Sequence, residues 1–386
     1  MLATCSGAGP TWQRLVPERL DVVVVGGGPA GLATSQQLRQ QRVPHRVLER
    51  GDAVGHTWAN LYDSLTLHTG KHMSSLPGMP FPSSAPLFVP RREFLDYLRR
   101  YAERFELPVD TGRDVERMSR TDGSWTVSTS RGALAATVVV MATGIVANPK
   151  TPHFPGQERF AGRIAHSVAY RRPDGYAGRR VLVVGVGNSG AEIASEIARA
   201  GGKVTLAVRS GANVVPLTLA GLPIQYVSFW VRKLPRRVQE GAVALVRLVT
   251  ELRRGKPVLP RPAHSPLDAI PVIGFHLVDA IAQGLIDVRA GVAELTADGA
   301  RFTDGTVGRF DEIILATGFG AALGPLEGLV QVDTKGFARR RDRVVSLDQP
   351  RLYFVGHNYD ATGGLYNIRR DARLAARLIG ADLKGR

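Results

Sequence analysis

The sequence of 386 residues contains a single cysteine, Cys5, which excludes an intramolecular disulfide, a CxxC redox pair and a cysteine-based zinc site. It has no run of about 18 to 20 apolar residues that could span a membrane, and residues 1–20 lack the apolar core of a signal peptide. We therefore expect a cytoplasmic protein in a reducing compartment, with a flexible leader over residues 1–20 and no stable membrane span.

The composition also excludes a disordered, coiled-coil or collagen-like chain, because 44% of the residues are hydrophobic and 22% are charged. These proportions are typical of a folded globular chain. The length predicts two or three domains with a sizeable core.

Acidic residues are few: 34 Asp and Glu stand against 50 Lys and Arg, for a net charge of +16. Such an imbalance suggests nucleic acid or an anionic membrane as a partner. The basic residues are spread over the chain, however, and no basic motif interleaved with aromatics is present, so we expect no nucleic-acid partner. The denser basic stretch at 232–261 carries apolar residues at helical spacing. We interpret it as a packed helix, with contact to a membrane surface as the alternative.

A buried-strand pattern leads directly into a glycine-rich turn near the start of the chain. The apolar residues 22–25 precede Gly26-x-Gly28-x-x-Gly31, and a helix pattern follows. The first glycine permits the tight turn, the second lets the backbone approach a pyrophosphate, and the third allows close helix–strand packing. Glu49 ends the next strand, where an acid suits the hydroxyls of a ribose. This pattern predicts a dinucleotide site.

The same pattern returns 159 residues later as Gly185-x-Gly187-x-x-Gly190. Here the second strand ends in Arg209-Ser210 rather than in an acid. A carboxylate would repel the 2′-phosphate of NADP, whereas a guanidinium and a hydroxyl can bind it. We therefore interpret the second site as an NADPH site. An arginine that merely ends a strand at the surface is the alternative.

Two further apolar strands end in the same three residues. One leads into Ala142-Thr143-Gly144 and the other into Ala316-Thr317-Gly318. One copy follows each glycine-rich unit, which suggests two nested domains joined by crossing segments.

Two such sites, the first with an acid and the second with an arginine, resemble the two-dinucleotide-binding flavoproteins, which bind FAD first and NADPH second. Phe160-x-Gly162-x-x-x-His166-x-x-x-Tyr170 matches the FxGxxxHxxxY fingerprint of class B flavin-dependent monooxygenases. The segment from Leu67 to Lys71 is similar to the YUCCA-like branch, which forms auxin from indole-pyruvate. In that segment His68 stands where animal-type relatives carry an asparagine that contacts flavin and nicotinamide. The resemblance implies flavin contact for His68 and Lys71, and an ordinary loop position is the alternative for both.

The resemblance implies an α/β fold with two Rossmann-like dinucleotide-binding domains, the NADPH domain being inserted into the FAD domain. The expected boundaries are 21–152 and 310–386 for the two parts of the FAD-binding domain and 153–309 for the NADPH-binding domain.

The resemblance also implies the chemistry. Reduced FAD and O2 form a C4a-(hydro)peroxyflavin, which oxygenates a small organic substrate, as in the oxidative decarboxylation of an aryl-pyruvate. Neither a protein nucleophile nor a metal is expected. N- or S-oxygenation, Baeyer–Villiger oxidation, and NADPH reductase or oxidase activity without oxygen insertion remain alternatives. The expected partners are the substrate and O2; the oligomeric state is left open, with a homodimer as one option.

Motifs and resemblance together give the candidate site residues. His68 and His166 are the candidate contributors to catalysis, and an architectural role in hydrogen bonding is the alternative for His166. The candidate FAD-binding residues are Gly26, Gly28, Pro29, Ala30, Gly31, Glu49, Arg50, Thr57, Trp58, His68, Val115, Ala142, Thr143, Gly144 and Gly356. The candidate NADPH-binding residues are Gly185, Gly187, Asn188, Ser189, Gly190, Arg209, Ser210, Ala316, Thr317 and Gly318.

Overall fold

The structure, a computed structural model, describes residues 18–360 and 362–385. Residues 1–17 of the expected leader, including Cys5, lie outside this part of the chain. The expectation is wrong for residues 18–20, because the first strand already begins at Glu18 and pairs there with Leu134.

The described residues form a mixed α/β structure. In chain order its strands are β1 (Glu18–Val25), β2 (His45–Leu48), β3 (Val109–Asp110), β4 (Val115–Thr121), β5 (Ser124–Thr129), β6 (Gly132–Met141), β7 (Arg163–His166), β8 (Arg180–Val184), β9 (Lys203–Ala207), β10 (Val214–Val215), β11 (Thr218–Leu219), β12 (Leu222–Pro223), β13 (Val272–Ile273), β14 (Ile286–Arg289), β15 (Val292–Thr296), β16 (Gly299–Phe302), β17 (Val307–Arg309), β18 (Glu312–Leu315), β19 (Arg340–Arg341), β20 (Val345–Ser346) and β21 (Leu352–Phe354). Its helices are α1 (Pro29–Gln40), α2 (His56–Ala59), α3 (Lys71–Ser74), α4 (Arg91–Arg104), α5 (Asn188–Arg199), α6 (Ile224–Val231), α7 (Arg236–Arg254), α8 (His276–Ala282) and α9 (Gly364–Lys384).

The first sheet is built around β1, whose apolar run is buried on both faces, as expected for a central parallel strand. Its parallel core has the order β21-β6-β1-β2-β3. Helices α1, α4 and α9 supply apolar side chains on one face. On the other face the antiparallel pair β4–β5 buries Trp125 completely.

The second sheet has the order β14-β9-β8-β18-β7, and all of its strands are parallel. Helices α5 and α8 pack together beside it. The predicted return to the FAD domain at residue 310 is wrong, because β18 pairs with β7 and β8 and so belongs to the second sheet. The chain rejoins the first sheet only with β19, β20 and β21.

The two connections between the sheets run side by side, as the nested arrangement predicts. The backbone N–H of Lys150 donates to the carbonyl of Gly318 at 3.0 Å, and that of Gly320 donates to the carbonyl of Asn148 at 2.8 Å. The chain therefore leaves and re-enters the first unit through one pair of hydrogen-bonded segments.

The basic stretch at 232–261 does form a helix, α7, but the expectation that its apolar face packs on the protein is wrong. None of the residues of α7 is buried. Leu245 is 61% exposed and Leu252 is 77% exposed. The helical period identifies an apolar stripe but carries no information about what covers it.

His357, which follows β21, carries an imidazole in an apolar environment. It is 2% exposed, packs against the rings of Phe337 and Phe354, and neither of its ring nitrogens has a hydrogen-bond partner among the described residues. Burial and the neighbouring Arg340 guanidinium lower the pKa of His357 to about 3. The folded protein therefore holds this ring neutral at every pH above that value.

We predict that this histidine makes stability depend on pH. As the pH falls below about 6.5, His357 takes up a proton in the unfolded chain but stays neutral in the folded protein. The free energy of unfolding therefore falls by about 1.4 kcal/mol per pH unit. The loss continues until the folded pKa is reached. In His357→Leu this component is absent, whereas the exposed His153→Leu keeps it. Urea unfolding between pH 7 and pH 5 measures the difference, and equal slopes for all three proteins would contradict the assignment.

Candidate functional site

Both glycine-rich turns open onto one cleft of about 1750 Å³. The cleft lies where the carboxyl ends of the parallel strands of both sheets meet, which is the usual ligand position in open α/β sheets. Its other walls come from α6, α7 and the segment 57–69. One cavity thus reaches both candidate nucleotide sites.

The glycines of the first turn differ in what surrounds them. Gly26 has a φ of +110°, and a Cβ there would lie 2.6 Å from the carbonyl oxygen of Ala142. A Cβ at Gly31 would lie 1.8 Å from the carbonyl oxygen of Gly26. A Cβ at Gly28 meets no protein atom within 4 Å and would project into open space. The outer glycines are therefore required by packing, while the middle one leaves room for a pyrophosphate at the N-terminus of α1.

The second turn repeats this geometry. Gly185 has a φ of +105°, and a Cβ there would lie 2.6 Å from the carbonyl oxygen of Ala316. A Cβ at Gly190 would lie 2.1 Å from the carbonyl oxygen of Gly185, whereas one at Gly187 meets nothing within 4 Å. The residues present fit two bound dinucleotides.

Glu49 is held rigidly at the end of β2. Its Oε2 accepts from the backbone N–H of Gly27 at 2.7 Å, and its Oε1 accepts from that of Gly51 at 2.8 Å. The side chain is buried on the protein side and also lines the cleft. The two amides fix the carboxylate where a ribose would present its hydroxyls.

The structure brings nearly all of the predicted FAD-binding residues to the cleft wall; Gly31 packs behind it. Those that line the cleft are Gly26, Gly28, Pro29, Ala30, Glu49, Arg50, Thr57, Trp58, His68, Val115, Ala142, Thr143, Gly144 and Gly356. Trp58 also packs edge to face on Phe94, at 4.5 Å between ring centroids.

The predicted NADPH-binding residues divide into three groups. Gly187, Asn188, Ser189, Ala316 and Gly318 line the cleft, and Gly185 and Gly190 pack behind the turn. Arg209 and Ser210 are exposed beyond the end of β9. Thr317 turns away from the cleft, and its hydroxyl donates to the carbonyl of Lys150 at 2.5 Å.

His166 uses both ring nitrogens on the backbone. Its Nδ1 accepts from the N–H of Val168 at 3.2 Å, so Nε2 carries the proton and donates to the carbonyl of Gly318 at 3.1 Å. Burial lowers the pKa of His166, which favours this neutral form. The arrangement supports the architectural alternative, since His166 joins the segment 160–170 to Gly318, in the second connection between the sheets.

A hydrogen-bond network between the two units was not foreseen from the sequence. Glu192 accepts from Tyr62 and pairs with Nε2 of His68, and Glu196 accepts from the hydroxyl of Tyr170 at 3.0 Å. Burial and the charge of Glu192 raise the pKa of Tyr62 well above its usual value, so the phenol remains a donor. The available signal was the spacing of the two glutamates, which lie four residues apart on α5 and so share one face.

Lys71, which the YUCCA-like segment placed near the flavin, does not line the cleft. Its Nζ donates to the carbonyl oxygens of Pro82, Ser83 and Ala85 at 3.2, 2.7 and 2.6 Å. The expectation of flavin contact is therefore wrong, and the lysine instead fixes a surface loop.

The described residues contain no cluster of three or more His, Cys, Asp or Glu side chains that could hold a metal ion. None of their helices combines the length and apolarity needed to cross a bilayer. The cytoplasmic location and the oligomeric state remain predictions.

Comparison with known proteins agrees with this geometry. The family model described as "Pyridine nucleotide-disulphide oxidoreductase" matches residues 23–216. The chain is 34% identical to the probable indole-3-pyruvate monooxygenase YUCCA4 of Arabidopsis thaliana, over 82% of this chain and 79% of that protein. It is 36% identical to the indole-3-pyruvate monooxygenase YUCCA1 of Oryza sativa subsp. japonica, over 77% and 76%. The solved flavin-containing monooxygenase from Stenotrophomonas maltophilia is 28% identical, with a TM-score of 0.74 over 95% of this chain and 99% of that one.

The nested sheets and the shared cleft define a two-dinucleotide-binding flavoprotein. With these relatives, the chain belongs to the class B flavin-dependent monooxygenases. It uses FAD and NADPH and oxygenates a small molecule.

The two kinds of glycine lead to opposite expected phenotypes. In Gly28→Ala the methyl group enters the space left for the FAD pyrophosphate, so we expect a folded protein whose FAD affinity falls by about tenfold or more. In Gly31→Ala the methyl group meets a backbone oxygen, so we expect loss of folded protein. Circular dichroism and the flavin absorbance per protein measure both effects. Full FAD occupancy in Gly28→Ala would refute the proposed pyrophosphate position.

Arg209 makes no ion pair with a carboxylate of the described residues, so its charge is free to bind the 2′-phosphate. We predict that Arg209→Ala raises the KM for NADPH by about 10- to 100-fold, as expected for loss of charge-assisted hydrogen bonds, and leaves the KM for NADH nearly unchanged. Arg301→Ala, which removes an exposed arginine paired with Glu294, serves as the control. An equal rise in KM for NADPH and NADH would show that Arg209 does not bind the 2′-phosphate.

Proposed function

We propose that the substrate is an aromatic 2-oxo acid and that the reaction is its oxidative decarboxylation. The curated relatives at 34% and 36% identity are described as indole-3-pyruvate monooxygenases, which supports this substrate class. The observation in the structure that carries the proposal is Arg247, which lines the cleft and donates to a neutral amide oxygen rather than to a carboxylate.

The wall formed by α6 and α7 is suited to an aryl group. Its apolar members that line the cleft are Ile224, Val227, Val231, Ala242, Val243 and Val246. A concave apolar surface with a few placed polar groups is the usual form of a small-molecule site.

The arginines of the same region differ in what they are bonded to. Arg236 and Arg254 contact carboxylates at 2.8 and 2.5 Å, and Arg261 pairs with Glu251. Arg247 instead donates to the neutral side-chain oxygen of Asn213 at 2.6 Å. Its charge is therefore available for the carboxylate of a 2-oxo acid.

The proposed reaction balances without a protein nucleophile. The aryl-pyruvate, O2, NADPH and a proton give the aryl-acetate, CO2, water and NADP⁺. Bound FAD, once reduced, supplies the activation of O2. The chain itself supplies two pyrophosphate sites, at Gly28 and Gly187, that hold both cofactors against one cleft.

The network on α5 has a positioning role in this proposal. Glu192 holds Tyr62 and His68, which both line the cleft, against the NADPH unit. Because this contact joins the two units at the cleft wall, we expect it also to limit the access of water to the reacting centre.

The substrate class is tested by measuring NADPH consumption and product masses with indole-pyruvate, phenylpyruvate, an aryl amine and a thioether. We expect turnover of the oxo acids with release of CO2. In Arg247→Gln we expect the KM for the oxo acid to rise by about tenfold, since a charge-assisted contact is lost, with the KM for NADPH unchanged.

Arg261→Gln is the matched control, because its charge is already paired with Glu251. Preferred oxygenation of the amine or thioether, without CO2 release, would contradict the proposed substrate class. Equal effects of the two arginine substitutions would contradict the role of Arg247.

A further inference from the structure

Helix α7 has two faces with opposite environments. One face, which includes Gln239, Val243, Val246 and Thr250, lines the cleft. At 100° per residue, an exposed apolar stripe lies about 120° around the helix axis from this face. Its members Val238, Leu245, Val249 and Leu252 are 49%, 61%, 36% and 77% exposed.

The apolar surface continues beyond α7. Eight of the fourteen large apolar side chains that are exposed in the described residues lie between residues 222 and 252, including Trp230 at 66% and Leu234 at 46%. The ammonium of Lys233 lies 4.2 Å from the ring centroid of Trp230. A concentrated exposed surface of this kind marks an interaction site.

The charge around this surface is strongly positive. Residues 232–261 contain nine basic and two acidic side chains. Within α7 the helical period places Arg237 and Arg253 on either side of the apolar stripe. An apolar stripe flanked by arginines, with a tryptophan at its edge, has the composition of a helix that lies in the interface of a membrane.

We propose that this surface, formed by α6, α7 and the residues between them, docks on an anionic lipid bilayer. Apolar side chains would enter the headgroup region while the flanking arginines and lysines contact lipid phosphates. A second copy of the chain is a poorer occupant, because a two-fold interface would place two strongly basic surfaces against each other. The proposal does not depend on the identity of the substrate.

Sedimentation with lipid vesicles tests the proposal on the FAD-loaded enzyme. We expect binding to vesicles of phosphatidylcholine mixed with phosphatidylglycerol, weaker binding in high salt, and little binding to phosphatidylcholine alone. Leu245→Glu or Leu252→Glu should lower the partition coefficient by about tenfold, because a charge replaces an inserting side chain. Arg237→Gln and Arg253→Gln should each lower it by about fivefold, the effect of one cation near an anionic surface.

Val307→Glu is the matched control, since Val307 is 66% exposed on β17, outside the surface, and this variant should bind as the unmodified enzyme does. Flavin absorbance confirms that each variant is loaded. A blue shift of the tryptophan emission on vesicle addition, lost in Trp230→Phe, would support insertion at this surface. Absence of vesicle binding, or binding unchanged in Leu245→Glu, would overturn the proposal. Self-association that Leu245→Glu abolishes, without vesicle binding, would identify a second copy as the occupant.

Discussion

The contact between each nucleotide-binding helix and its own glycine turn is the constraint on which this structure depends. At Gly31 and Gly190 a carbonyl oxygen occupies the position that a Cβ would take, at 1.8 and 2.1 Å. Only this close approach lets α1 and α5 begin directly above the carboxyl ends of β1 and β8. Both helix N-termini therefore face the cleft, where their partial positive charge favours phosphate groups.

The second requirement is a fixed relation between the two units. Two backbone connections cross beside each other at Lys150 and Gly318, and the carboxylates of α5 bind side chains of the first unit and of the segment 160–170. Buried tyrosine hydroxyls that donate to half-buried carboxylates favour one arrangement, because a displacement leaves a buried donor without a partner. The relative position of the cofactor sites is thus a property of α5 as much as of the loops that contact the cofactors.

The sequence predicted features that depend on local spacing and missed those that depend on distant pairing. The glycine turns, the acid at Glu49 and both nucleotide-binding units follow from short motifs whose geometry is set within a few turns of chain. The assignment of β18 depends on its pairing with β7 and β8, which the motif before Ala316 does not reveal. The exposure of α7 was missed for a similar reason. Helical spacing shows that α7 has an apolar stripe, but it does not show whether the protein itself covers that stripe. Lys71 was misplaced because a family segment fixes a position in the chain and not the direction of a side chain.

Helix α7 shapes the cleft but contributes little to the stability of the fold. It contributes a wall to the cleft, yet none of its residues is buried, so substitutions on it remove little apolar burial. Changes at exposed helix positions usually alter stability by less than about 0.5 kcal/mol. The outer glycines of the two turns, where a Cβ would meet a backbone oxygen, tolerate no such change. Evolution can therefore alter the substrate range of this scaffold through α7 while the cofactor sites stay constant, which is one physical route by which a single architecture comes to oxygenate chemically different molecules.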